Sequence, residues 1–329
     1  MGKGAKRKRE SEGEKREERP ERVGPLRLMR VESGTQADYE RVRRFDGEWL
    51  AEKRYAPTIP SEHDRRGEEY VTHVYDSGLP AYRACNLVAA MELHHPRSMG
   101  KWVLTGQAAA GFRKAKPVKH WPPMPAEVVL AAGAILWAWK RGEESLALML
   151  GFHGYLRISD IVYLTRELVV LPGDAEGVRA SVTIKDAKTG DNQTVFLDSE
   201  FVIALVRRQR EKATGENFFE HLTEKSFREW TKKALTRLGL SEEGYVIHSL
   251  RHGGAARDYH HGFRSSAEVK DRGRWVSNRT FREYIDRGKM RLILDRLSGK
   301  ERTAILEMVG QHHGRLWGLP DLNARFEHL

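Results

Sequence analysis

"YVIHSLRHGGAARD", residues 245–258, is the stretch on which the fold turns. His248 and Arg251 stand three apart, so on a helix they project from one face. By itself a His-x-x-Arg pair reads equally well as an ordinary pair on a helix surface. Its surroundings decide. Downstream, "GRWVSNRTFREYID" sets Trp275 nine residues before Tyr284. Phe281 and Ile285 are four apart and share a helix face, so Tyr284 is either one more core aromatic or the bearer of a reactive hydroxyl.

Upstream, "LRISDIVYLTREL" offers Ser159 or Asp160 as the cap of a helix whose inner face carries Ile161, Leu164 and Leu168. Arg157 precedes that cap within apolar surroundings. An arginine there needs an anionic partner, either a structural salt bridge to Asp160 or a ligand. The clear β signal lies at residues 179–198. "RASVTIK" alternates Val182 and Ile184 with polar residues, "DAKTGDN" supplies a turn, and "QTVFL" resumes the pattern, which predicts a hairpin with Lys188 at its tip. Lys185 lies in the same hairpin region.

Arg157, a hairpin lysine, His248 and Arg251, then Trp275 and Tyr284 resemble, in order and spacing, the signature of the tyrosine recombinases, the family of phage integrases. The similarity covers roughly residues 35–297 and is strongest from 151 to 287. It implies a mainly α fold with a small β-sheet or hairpin (α+β). A helical core-binding domain and a catalytic domain would form a C-shaped two-domain clamp on double-stranded DNA. It further implies that Tyr284 attacks a DNA phosphate to give a 3′-phosphotyrosyl intermediate, with no metal and no cofactor. Arginine forks suit phosphate oxygens, so Arg157 and Arg251 would neutralise the transition state. His248 would donate to phosphate or move protons, and Trp275 would offer its one N–H. Lys188, preferred over Lys185, would protonate the leaving 5′-hydroxyl, and Asp160 would orient a neighbouring arginine or histidine. A homotetramer on two duplexes, monomeric or dimeric when free, is the implied assembly. The sequence departs from the family at Asp160, where many members carry glutamate. It departs again in the glycine-rich "HGGAARD" and in the polar "HHGFRSSAEVKDRG".

The balance of charge agrees with a polyanionic partner: 57 Lys and Arg face 46 Asp and Glu among 329 residues, a net charge of +11. Cys85 is the only cysteine, which excludes an intramolecular disulfide and a cysteine-built zinc site and fits a reducing compartment. The longest uninterrupted apolar run, residues 128–139, is too short to span a bilayer, and "MGKGAKRKRE" lacks a signal-peptide core. The expected location is therefore intracellular and soluble: nuclear in a eukaryote, otherwise cytoplasm or nucleoid, or virus-encoded. The histidines show no metal-ligand spacing, and no phosphate loop, HExxH or GxSxG motif occurs.

The expected organisation is a disordered charged tail (1–34), a helical DNA-binding domain (35–115), a linker (116–124), a catalytic domain (125–297) and a C-terminal tail (298–329) open to contact with a neighbouring protomer. Tyr39, Val42, Phe45 and Trp49 mark one helix face in the first domain. Tyr70, Val71, Val74 and Tyr75 mark a second, and Tyr82, Cys85, Val88 and Met91 a third. Residues 113–125 read as extended, with Arg113, Lys114, Lys116 and Lys119 as candidate DNA contacts. Two rival readings remain at this point: a type IB topoisomerase-like nicking and resealing enzyme, and a domesticated, non-catalytic DNA-binding protein.

Overall fold

The computed structural model describes residues 28, 31–117, 121–185, 193–278, 281–282, 299–300, 303 and 305. The expectations for the charged tail, for Lys119, Lys188, Tyr284 and Ile285, and for most of the C-terminal segment fall outside them. The chain divides into two compact units at His120 and Trp121. The described secondary structure is mainly helical, with one small antiparallel sheet of three strands. Among the described residues no helix is long and apolar enough to cross a membrane.

The first unit contains α1 (Ser33–Glu52), α2 (Pro60–Asp76), α3 (Leu87–His94) and α4 (Val103–Ala115). Val42, Trp49, Tyr70, Val71, Val74, Leu87, Met91 and Phe112 form its core. Asp64 of α2 ties α4 in place: its carboxylate accepts the amides of Leu104 and Thr105 at 3.0 and 2.9 Å, supplying acceptors that an N-terminal turn lacks. Two expectations change here. The stripe from Tyr82 to Met91 is not one helix but a 3-10 turn at Ala81–Arg83 followed by α3. The chain leaves helical geometry at Ala84, φ −127°, and Tyr82 is left half exposed against Phe45. Arg113 and Lys114 are helical, because Phe112 anchors the last turns of α4 in the core and the helix stops only at Lys116.

The second unit is built around α5 (Ala126–Ala138), in which every residue from Val128 to Leu136 is buried. A helix apolar on all sides has to lie inside, and α6 (Gly142–His153) and α9 (Glu224–Arg237) pack on it. The short α7 (Ile158–Val162) follows, and Arg157 rather than Ser159 or Asp160 occupies its cap position. Asp160 lies one turn inside and accepts the Arg157 amide at 2.9 Å. Strands β2 (Ser181–Ile184) and β3 (Gln193–Phe196) form the expected hairpin, with Val182 opposite Val195. A third strand, β1 (Val169–Val170), pairs with β2. It is too short to show a period-two pattern in the sequence. Next come α8 (Glu200–Lys212) and α9. Thr223 and Ser226 cap α9 reciprocally, each side chain bonding to the other's backbone amide. The unit ends with α10 (His248–His260) and α11 (Ser266–Arg272). Ile305, from the C-terminal segment, is buried in this unit's own core.

Candidate active site

The glycines after Arg251 explain how α10 reaches the centre of the unit. A Cβ on Gly253 would stand 1.9 Å from the carbonyl oxygen of Met124, and one on Gly254 would stand 2.0 Å from that of Phe152. Only a helix without side chains at these positions lies so close to its neighbours' backbone. The glycine-rich departure is therefore a packing device. It brings Arg251 to 1% exposure. Its Nη1 donates to the carbonyl of Tyr155 and its Nη2 to that of Gly273, while Cζ lies 4.6 Å from the centre of the Trp275 ring. Arg251 is thus clamped between the chain that enters α7 and the turn that follows α11.

Arg157 caps α7 at the edge of the same region, and its Nη1 is buried with no hydrogen-bond partner among the described residues. The structural salt bridge that Asp160 offers goes elsewhere, to Arg274 Nη2 at 2.8 Å. Arg274 Nη2 also lies 3.3 Å from the Tyr155 carbonyl, the same oxygen that receives Arg251. Asp160 therefore fixes the backbone of Arg157 and the side chain of Arg274 at once.

His248 opens α10 one turn before Arg251. Burial, then the positive charges of Arg251 and Arg157, push its pKa down to about 4. At neutral pH it is an uncharged imidazole, able to accept a proton or to donate one N–H. Trp275 is 7% exposed and packs against Tyr155 and Phe281, with ring centres 6.1 and 5.9 Å away. Arg157, His248, Arg251, Asp160 and Trp275 thus come together in one unit, although they start from three separate segments.

The remaining candidates divide. Lys188 and Tyr284 lie outside the described residues. Lys185 is exposed and pairs with Glu167. Arg113, Lys114 and Lys116 are exposed on the first unit. Arg113 donates to the Cys85 carbonyl, and Lys116 Nζ sits 4.8 Å above the Tyr75 ring.

Sequence reasoning missed several supporting residues. The polar run before Trp275 is an ion network: Arg264 pairs with Asp258 and Asp198, and Arg272 reaches Asp198 at 3.2 Å and the His153 carbonyl at 2.7 Å. The Tyr155 hydroxyl donates to Asp258, and burial pushes its pKa up, so this phenol stays protonated. Arg274 was also missed. Its position between Gly273 and Trp275 was the available signal, a charged residue flanking a motif position.

A comparison with protein-family models gives no match, and neither does one with curated proteins. Solved structures do match. A lambda integrase fragment (residues 75–356), as a dimer bound to a COC′ core site, aligns with a TM-score of 0.56 at 17% identity, over 79% of this chain and 91% of that one. The Tn1549 transposon integrase, in complex with circular intermediate DNA, gives 0.57 at 14%, over 81% and 94%. The XerH site-specific recombinase, bound to its palindromic difH substrate in a post-cleavage complex, gives 0.54 at 19%, over 70% of each chain. The chain has the fold of the site-specific recombinases and integrases.

Proposed function

We propose that this chain is a site-specific DNA recombinase or integrase that cuts and rejoins DNA through a 3′-phosphotyrosyl intermediate on Tyr284. One observation carries the reading: the unpaired Arg157 group, neutral His248, clamped Arg251 and Trp275 share one buried region of a fold whose solved examples are DNA recombinases. A region with an excess of guanidiniums and a neutral base suits a phosphodiester.

In the proposed reaction Arg157 and Arg251 hold the non-bridging oxygens, and the Trp275 N–H adds a donor. His248 accepts the proton of the Tyr284 hydroxyl as its oxygen attacks phosphorus. The bond to the 5′-oxygen breaks, and Lys188 supplies the proton that makes it a 5′-hydroxyl. The phosphotyrosyl ester keeps the bond energy, so attack by a new 5′-hydroxyl reverses the steps without ATP. Metal and cofactor have no part in this scheme. The partner is double-stranded DNA, with Arg113, Lys114, Lys116 and Lys119 on its backbone. The lambda integrase has been solved as a tetramer on a Holliday junction, at a TM-score of 0.56, and a homotetramer is the assembly proposed here. Such a protein works inside the cell or is encoded by a mobile element.

The test is a nicked duplex carrying a candidate recombination site, sought as inverted repeats in the DNA beside the gene. Wild type becomes covalently attached to the DNA and Tyr284→Phe does not. An adduct that persists in the phenylalanine variant would sink the assignment. Relaxation of plasmid lacking any such site would favour the topoisomerase reading instead, and absence of any adduct would favour a DNA-binding protein without catalysis.

A further inference from the structure

Arg274 stands outside the set of residues that the resemblance assigns, yet its environment is that of a ligand-binding group. Its side chain is 4% exposed. One nitrogen, Nη2, satisfies Asp160 and the Tyr155 carbonyl, while Nε and Nη1 are buried with no hydrogen-bond partner among the described residues. Native interiors rarely leave N–H groups dry, and such groups call for an acceptor that arrives from outside. A residue whose task ended at neutralising Asp160 would need neither of them.

Three further observations locate that acceptor. Arg157 is close enough for its charge to weigh on Arg274, and its own Nη1 is likewise buried and unpaired. Asp160 meets the guanidinium of Arg274 but only the backbone amide of Arg157, so the two guanidiniums together retain an excess positive charge that a phosphodiester would balance. Burial lowers the Arg274 pKa to about 10, which leaves it charged at neutral pH. Finally, the backbone at Arg274 is left-handed, φ 55°, a conformation that glycine or asparagine adopts with less strain. It closes α11 in a helix-ending turn, with the Arg274 amide on the Asp271 carbonyl and the Trp275 amide on that of Lys270, at a place that glycine usually takes.

We propose that Arg274 is a third phosphate-binding guanidinium, contacting a non-bridging oxygen of the scissile DNA phosphate beside Arg157. The inference rests on the recombinase reading and adds to it a contact that arises from the residue between Gly273 and Trp275. Arginine rather than lysine fits the position, because a planar fork serves Asp160 and an incoming oxygen at the same time.

Two experiments test it, and they fail separately from that reading. The first uses the full chain in single-turnover cleavage of the nicked duplex. The variants are Arg274→Gly, which relaxes the backbone, and Arg274→Gly with Asp160→Asn, which also removes the stranded carboxylate. Both should cleave about 10²–10³-fold more slowly than wild type, the usual loss for a transition-state donor. With a methylphosphonate at the scissile position the deficit should shrink to less than about tenfold, because one oxygen no longer needs neutralising. Recovery of the wild-type rate in the double variant would make Arg274 a mere partner of Asp160 and overturn the inference. If wild type itself forms no adduct, the recombinase reading falls, and the second experiment still decides on Arg274. Crystals of the full chain soaked in tungstate should show an anion within about 3.5 Å of Arg274 Nε or Nη1 and of Arg157. An anion that excludes Arg274, or no bound anion at all, overturns the inference.

Discussion

The guanidinium of Arg251 sits over the Trp275 ring, its carbon 4.6 Å from the ring centre, and both of its terminal nitrogens are held by backbone carbonyls. The contact fixes two motif residues that are 24 positions apart in the chain. It makes Arg251 part of the framework as well as of the proposed chemistry.

Arg251→Lys therefore tests both roles. Lysine keeps the charge but cannot reach the carbonyls of Tyr155 and Gly273 together. A buried acceptor left unsatisfied costs about 1–3 kcal/mol. The variant is expected to lose about that much stability in urea unfolding, and covalent adduct formation should fall by about 10²-fold or more. An unchanged unfolding midpoint would show that the two carbonyl contacts carry no structural weight.

The glycine pair makes a sharper prediction about packing. Helix propensity alone favours Gly253→Ala by about 1 kcal/mol. The new methyl, however, would meet the Met124 carbonyl oxygen at 1.9 Å, and backbone cannot move aside as a flexible side chain can. A net loss of about 2 kcal/mol or more is expected, in the range of overpacked cores. Chemical denaturation measures it, and a stabilised variant would contradict the close approach of α10.

Much of this was legible in the sequence, and what was not has identifiable physical causes. Helix faces such as Val42 with Trp49, and the hairpin with Val182 and Ile184 pointing inward, follow from side-chain period. So does the burial of Phe281 beside Trp275. The Tyr82 to Met91 stripe misled, because a spacing of three is shared by a helix and by a 3-10 turn that runs into one. Strand β1 has two residues, too few for any period. Asp160 pairs with Arg274, 114 positions away, rather than with its neighbour Arg157, and no local pattern encodes a choice between two arginines. The left-handed backbone at Arg274 was equally invisible, since arginine carries no preference for it.

Acidity should act on the two units in opposite senses. In the second unit His248 and His153 have pKa values of about 4 and about 3, held down chiefly by burial. Their unfolded forms protonate near pH 6.5. Between that pH and the folded values the unfolded state binds more protons, so stability is full above about pH 6.5 and declines as pH falls. The loss is about 2 kcal/mol for each histidine by pH 5. In the first unit Asp46 is 7% exposed, and burial raises its pKa to about 6. Here the folded state binds the extra proton, so stability is greatest below about pH 4 and declines as pH rises through 6. Hydrogen-exchange protection measured for each unit at pH 7 and pH 5 should move in opposite directions. His248→Gln should reduce the change in the second unit, and Asp46→Asn should remove the gain in the first, leaving the opposing effect of His63, whose pKa burial lowers. Parallel changes in both units would contradict the assignment of these groups.

Gly273 offers a way to move Trp275 without touching it. Its backbone is ordinary for any residue, φ −77°, so alanine brings no conformational strain. The added methyl would nevertheless stand 1.9 Å from the Trp275 ring, which is wedged among Tyr155, Phe281 and the guanidinium of Arg251. The indole has to leave that position, and the N–H donor proposed for the phosphate moves with it. Gly273→Ala should therefore slow adduct formation about as much as Trp275→Phe does. Because both substitutions remove the same donor, the double variant should be no slower than the worse single variant, within the few tenths of a kcal/mol that separate dependent from additive sites. Fully additive losses would mean that Gly273 acts by some route other than the placement of Trp275.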